Sequence, residues 1–291
     1  MIHLTHKPVA YKPLVTWDLA KNQKMILMPI GDVHFGSEGF PTQHLIDNLD
    51  WAIEHGCTFI GMGEYLDFTS QSQRQHLGVL RDSTKQIMDD MVLEQAQQLL
   101  DILAPTKGRW IGMLEGDHRW DFLGGNSVDQ YLCKELKCAF LGTSAMVRID
   151  AGVKRHPEAD TILYVHHGIG SSRSAGGHLI QVENLLKIMD GDIFLMGHSH
   201  GKVGSTIDRQ AVTPDGIHYH RSKILARTGA WLRVYAGHEP LPNDEPAHKS
   251  RGSYAEAKAY SPSALGGVII GIGYEQIHGS RFYRPALHLS I

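Results

Sequence analysis

The sequence predicts an α/β fold in which two stacked, mixed β-sheets are flanked by helices. Between residues 25 and 200, short apolar runs alternate with segments of helical periodicity, the order that builds parallel crossovers. From about Lys202 the pattern changes to short strands and turns, which reads as a second sheet folding back over the first. Strand ends along the chain also deliver Asp, Glu or His beside glycine. In α/β sheets, ligands gather at the carboxyl ends of strands.

Taken in order, residues 1–24 are polar and are expected to form an arm or an edge strand. Met25 to Pro29 is a short apolar run that ends at Ile30 and delivers Asp32 and His34. On extended backbone, residues i and i+2 point to one side, so this carboxylate and imidazole are expected to converge. Leu45, Leu49, Ala52 and Ile53 are spaced as one helix face between Pro41 and Gly56. Thr58 to Met62 is the next buried strand and runs into Glu64, Tyr65 and Asp67. Strand, helix and strand make a parallel crossover, which brings Glu64 to the same sheet edge as Asp32 and His34.

Residues 69–81 are polar and read as a surface excursion. Asp82 to Leu103 reads as a long helix with Ile87, Met91, Leu93, Leu99, Leu100 and Leu103 on its apolar side, ended by Pro105. Arg109 to Leu114 is a third strand, followed by Glu115-Gly116-Asp117-His118-Arg119-Trp120. Val128 to Leu136 is expected to be helical, and Phe140-Leu141 and Ala145 to Ile149 are expected in the second sheet. Thr161 to Val165 leads into His166-His167-Gly168, and residues 171–177 form a loop. His178 to Met189 reads as a helix. Asp192 to Met196 is a strand ending in Gly197-His198-Ser199-His200. Residues 236–253 read as a loop.

A length of 291 residues suits one domain spanning 1–291. The net charge of -3 gives no global basic field for long nucleic acid, although a local patch is compatible with it. Cys57, Cys133 and Cys138 lack a zinc spacing and are expected to be reduced, which suggests a cytoplasmic setting. The start has no signal-peptide layout, no apolar run is long enough for a bilayer, and no membrane partner is expected.

The set Asp32-Val33-His34, Gly63-Glu64-Tyr65-Leu66-Asp67, Gly116-Asp117-His118, His166-His167 and Gly197-His198-Ser199-His200 resembles the calcineurin-like metallophosphoesterase family. The family's motifs run D-x-H, G-D-x-x-D, G-N-H, a lone His after a strand, and G-H-x-H. The resemblance covers roughly residues 25–205, and the stretch from Ser253 to Ile270 more loosely resembles phage and prophage members. It implies a four-layer α/β/β/α sandwich holding two divalent metal ions, manganese first, with iron, zinc or nickel as alternatives. Asp32, His34 and His200 would hold one ion, Asp117, His198 and His166 the other, and Glu64 would bridge them. His166 and His167 compete for one place, and the family's spacing favours His166.

The implied activity is phosphoester hydrolysis through a metal-bridging hydroxide, most simply by a phosphodiesterase acting on nucleic acid ends or nucleotides. A phosphomonoesterase or nucleotidase and a non-catalytic binding scaffold are the alternatives. His118 would steady the phosphoryl group or protonate the leaving oxygen, and Asp67 would orient a ligand histidine. His167 and Arg119 are candidates for touching substrate. Arg74, His76, Arg81 and Arg173 are weaker rim candidates, and Tyr65 and Trp120 would stack on a base or fill core. A twofold homodimer is the expected assembly. The chain departs from the family pattern at Glu64, normally Asp, and Asp117, normally Asn. The extra carboxylate is expected to tighten metal binding and move activity toward alkaline pH.

Overall fold

A computed structural model of the chain describes residues 15–18, 24–69, 77–153, 156–170, 172, 174–233, 235, 259, 262 and 264–291. Arg74, His76, Arg173, the loop at 236–253, most of the N-terminal arm and half of the phage-like stretch lie outside the described residues.

Among the described residues, twelve strands form two six-stranded sheets. In the first, β2 (Met25–Ile30), β3 (Thr58–Gly61), β4 (Trp110–Leu114) and β5 (Ala139–Gly142) run parallel. The C-terminal hairpin of β11 (Ile269–Gln276) and β12 (Tyr283–Ser290) adds to β2 antiparallel. The second sheet has the order β1 (Val15–Asp18), β6 (Ser144–Asp150), β7 (Thr161–His166), β8 (Ile193–Met196), β10 (His218–Thr228), β9 (Lys202–Val212). Two assignments are thereby corrected. Phe140-Leu141 pairs with β4 in the first sheet, and so does the 269–290 hairpin with β2. Periodicity marks a segment as a strand, but its partner is chosen by distant residues.

The sheets face each other through Leu27, Ile60, Met62, Ile111 and Ile270 on one side and Val147, Leu163, Val165, Ile193 and Leu195 on the other. Outside the first sheet lie α1 (Thr42–Glu54), α2 (Asp82–Leu103) and α3 (Val128–Leu136), which bury Leu45, Leu49, Val92, Leu99 and Leu132 against Phe59 and Trp110. Outside the second, α4 (Ala175–Glu183) and a following 3-10 turn (Asn184–Lys187) cover Phe194 and Met196 with Val182 and Leu185. The result is a four-layer α/β/β/α sandwich.

The apolar side of α2 also needs correction. Ile87, Met91 and Leu93 are exposed, and the buried face is Asp89, Val92, Ala96, Leu99, Leu100 and Leu103. Asp89 belongs on that face because its carboxylate accepts from Trp120 Nε1 at 2.6 Å and from the Leu123 backbone N–H at 3.0 Å. That pair ties the segment after β4 to α2. Tyr65 and Trp120 are both buried, as core residues are.

Candidate metal centre

Five strands of the two sheets end at one edge of the sandwich. β2 delivers Asp32 and His34, β3 Glu64, β4 Asp117, β7 His167, and β8 His198 and His200. The loops are stitched to one another. Asp32 N–H donates to the Gly63 carbonyl at 2.9 Å, and Val33 N–H donates to that of Glu64 at 2.8 Å. Gly197 N–H donates to the His167 carbonyl at 2.7 Å. The two sheets are joined when the Asp32 carboxylate accepts from His198 N–H at 2.9 Å. Close approach needs glycine here: a Cβ at Gly116 would lie 2.2 Å from the Glu64 nitrogen.

Asp32, His34, Glu64, His198 and His200 all have φ between 50° and 70°. Non-glycine residues rarely adopt this left-handed backbone, and such strain gathers at functional sites. Asp32 and His34 therefore converge for a different reason from the extended geometry expected of them. Each turns its side chain inward by a left-handed step.

Among the described residues, two four-residue clusters share Glu64, and a smaller group of His34, Asp67 and His118 adjoins the first. In the first, His34 Nε2 lies 3.0 Å from Glu64 Oε2 and 3.0 Å from His200 Nε2, and His200 Nε2 lies 3.7 Å from Asp32 Oδ1. In the second, Glu64 Oε1 lies 3.3 Å from His167 Nε2 and 3.5 Å from His198 Nδ1, which is 3.4 Å from Asp117 Oδ2. Asp32, His34, Glu64 and His167 form a buried floor, while Asp117 and His198 are 48% and 29% exposed along their side chains.

The structure puts His167, not His166, in the second cluster. Leu163 and Val165 face the space between the sheets, and the alternation carries His167 to that face. His166 lies on the other face, where its Nδ1 accepts from Gly168 N–H at 2.9 Å. The period-2 pattern of β7 was the sequence signal for this choice.

The donor set fits divalent cations. His198 Nδ1 is buried with no hydrogen-bond partner. The carboxylates raise the pKa of two of the imidazoles, His34 and His167. Burial lowers the pKa of His34, but Asp67 and Glu64 override it and hold it at about 10. His167 is likewise drawn down by burial and lifted by Glu64 to about 9. Glu64 resists its own burial and stays well below the usual carboxylate range because four imidazoles face it. Burial, with Glu64 adding to it, pushes Asp32 up to about 6. Mixed imidazole and carboxylate ligands suit first-row divalent ions.

Asp67 and His118 stand beside the first cluster. Asp67 Oδ1 lies 3.4 Å from His34 Nδ1 and 3.3 Å from His118 Nδ1, and these two imidazoles hold Asp67 well below the usual carboxylate range. Arg119 is engaged by Glu115 Oε1 at 2.6 Å and Asp121 Oδ1 at 3.1 Å. Asp129, at the start of α3, accepts from Gly116 N–H at 2.9 Å and fixes the turn before Asp117. Burial pushes Asp129 up to about 7 against that bond.

Among the described residues, no helix is long and apolar enough to cross a membrane. The chain matches no protein-family model and no curated protein. Two sheets with two clusters suited to a binuclear metal site are consistent with the calcineurin-like metallophosphoesterase superfamily.

Proposed function

We propose that the chain is a binuclear metal-dependent phosphodiesterase acting on nucleic acid ends or nucleotides, similar to the calcineurin-like enzymes. The observation that carries the reading is the division of Glu64, whose Oε2 faces His34 and whose Oε1 faces His167. A carboxylate aimed at two separate clusters is what two neighbouring cations sharing one ligand require. Asp32, His34 and His200 would hold one, and Asp117, His167 and His198 the other. Bound there, the pair would supply Lewis acidity and an acidified water. Manganese is the first candidate, and iron, zinc and nickel accept the same ligands.

His118 has a separate part. Asp67 accepts the Nδ1 proton, which leaves Nε2 as the atom for substrate. As general acid, His118 would pass a proton from Nε2 to the ester oxygen as the P–O bond breaks. The oxygen of water forms the new bond to phosphorus, and its proton leaves to solvent. Asp67 stabilises the charged ring and orients His34 from behind.

The diester preference rests on rim charge. Asp117 lies half exposed at the open cluster, and Arg119 is neutralised by Glu115 and Asp121. A dianionic monoester meets more repulsion there than a monoanionic diester. Hydrolysis of bis(p-nitrophenyl) phosphate and p-nitrophenyl phosphate with added manganese tests the reading. The diester should turn over faster, and chelation should abolish both activities. The reverse order would make the chain a phosphomonoesterase, and turnover of neither would leave a binding scaffold.

A further inference from the structure

Arg227 lies near the end of β10 and is fully buried. Burying a guanidinium is costly unless its donors and its charge are met. Its terminal donors are met by two loops and a helix side chain rather than by a carboxylate. One terminal nitrogen donates to the carbonyl of Gly197, the residue before His198. The other donates to the carbonyl of Ile169, two residues after His167, at 3.3 Å, and to Gln181 Oε1 on α4. Nε is buried with no hydrogen-bond partner. Among the described residues no carboxylate pairs with Arg227, and Asp32 is the acidic group that acts on its charge.

The two loops it holds carry the two histidines of the second cluster, and the Gly197 loop also carries His200 of the first. They approach closely: a Cβ at Gly168 would lie 2.6 Å from both the Gly197 carbonyl oxygen and His198 Cβ. The alignment of His167 with His198 thus depends on holding both loops, and one planar guanidinium spans them with fixed geometry. Asp32 and His34 of the first cluster are anchored differently, by the backbone bonds between the β2 and β3 loops.

We propose that Arg227 is a positioning residue for the second cation, clamping the His167 and His198 loops from behind so that the second cluster binds metal. The inference rests on the binuclear reading of the site. Its loss should therefore weaken the second ion, two of whose ligands lie on the clamped loops, more than the first, of whose ligands only His200 does. Arg227→Lys keeps a charge but cannot reach both carbonyls at once, and Arg227→Met removes the charge as well.

The test is manganese titration by calorimetry with elemental analysis, on wild type and both variants, alongside circular dichroism. Wild type should bind two ions per chain. Arg227→Met should keep the first and weaken the second by about 10- to 100-fold, the range for residues that support ligands, with Arg227→Lys intermediate. If Arg227→Met does not fold, Gln181→Leu, which removes one acceptor of the guanidinium and keeps its bonds to the two loops, should weaken the second ion more than the first. Two ions bound with unchanged affinities in the folded variant, or equal weakening of both, would overturn the proposal. A wild type that binds no manganese would instead overturn the metal reading itself.

Discussion

The two clusters are built from the same residue types but sit in different surroundings. The first lies on the floor, with Asp32 and His34 buried and Asp67 bracing His34 from behind. The second opens outward through Asp117 and His198. Glu64 belongs to both. The difference suggests a division of labour. A buried site with oriented ligands retains its ion, while an open one exchanges its ion and meets substrate. Each variant below disturbs one side of that contrast, or the residue they share.

The largest effect should come from the shared residue. Glu64→Gln removes the charge common to both clusters, so turnover should fall on the order of 10³-fold or more, and metal analysis should show the second ion lost. His118→Gln comes next. It should leave both ions bound and lower turnover by about 10²- to 10⁴-fold on a diester with a poor alkoxide leaving group. The loss should shrink on bis(p-nitrophenyl) phosphate, whose leaving group needs no proton.

Asp117→Asn acts on the open cluster alone. Removing its carboxylate leaves more positive charge at the centre, so the acidic limb of the pH–rate profile should move to lower pH. An unmoved limb would show that Asp117 does not set the charge there. A smaller effect is visible in binding. His34 and His167, held at about 10 and 9 without cations, must lose protons to become ligands. Metal binding should therefore release protons and tighten as pH rises toward about 10. Calorimetry in buffers of different ionisation enthalpy checks this.

The sequence made the strand ends legible because an apolar run followed by glycine and a ligand-type residue is a local signal. Asp32, His34, Glu64, Asp117, His198 and His200 were visible that way. His167 was visible too, through the alternation of Leu163 and Val165, but family spacing pointed to its neighbour. Partner choice was not visible. Phe140-Leu141 and the 269–290 hairpin read correctly as strands, yet nothing local tells a strand which sheet will bury its faces. On α2, hydrophobicity alone pointed to Ile87 and Met91. The true face follows Val92, Ala96, Leu99 and Leu103 and includes Asp89, whose partners come from a segment 31 to 34 residues away. The left-handed backbone at five site residues was equally hidden, since neighbouring loops impose it. Arg227 read as an ordinary strand residue, because its loops lie 30 and 58 positions away.

The most direct measurement is anomalous diffraction from crystals grown with manganese. The account predicts two peaks per chain, one among Asp32, His34 and His200 and one among Asp117, His167 and His198, with Glu64 between them. A single peak that Glu64 does not touch, or none, would contradict it.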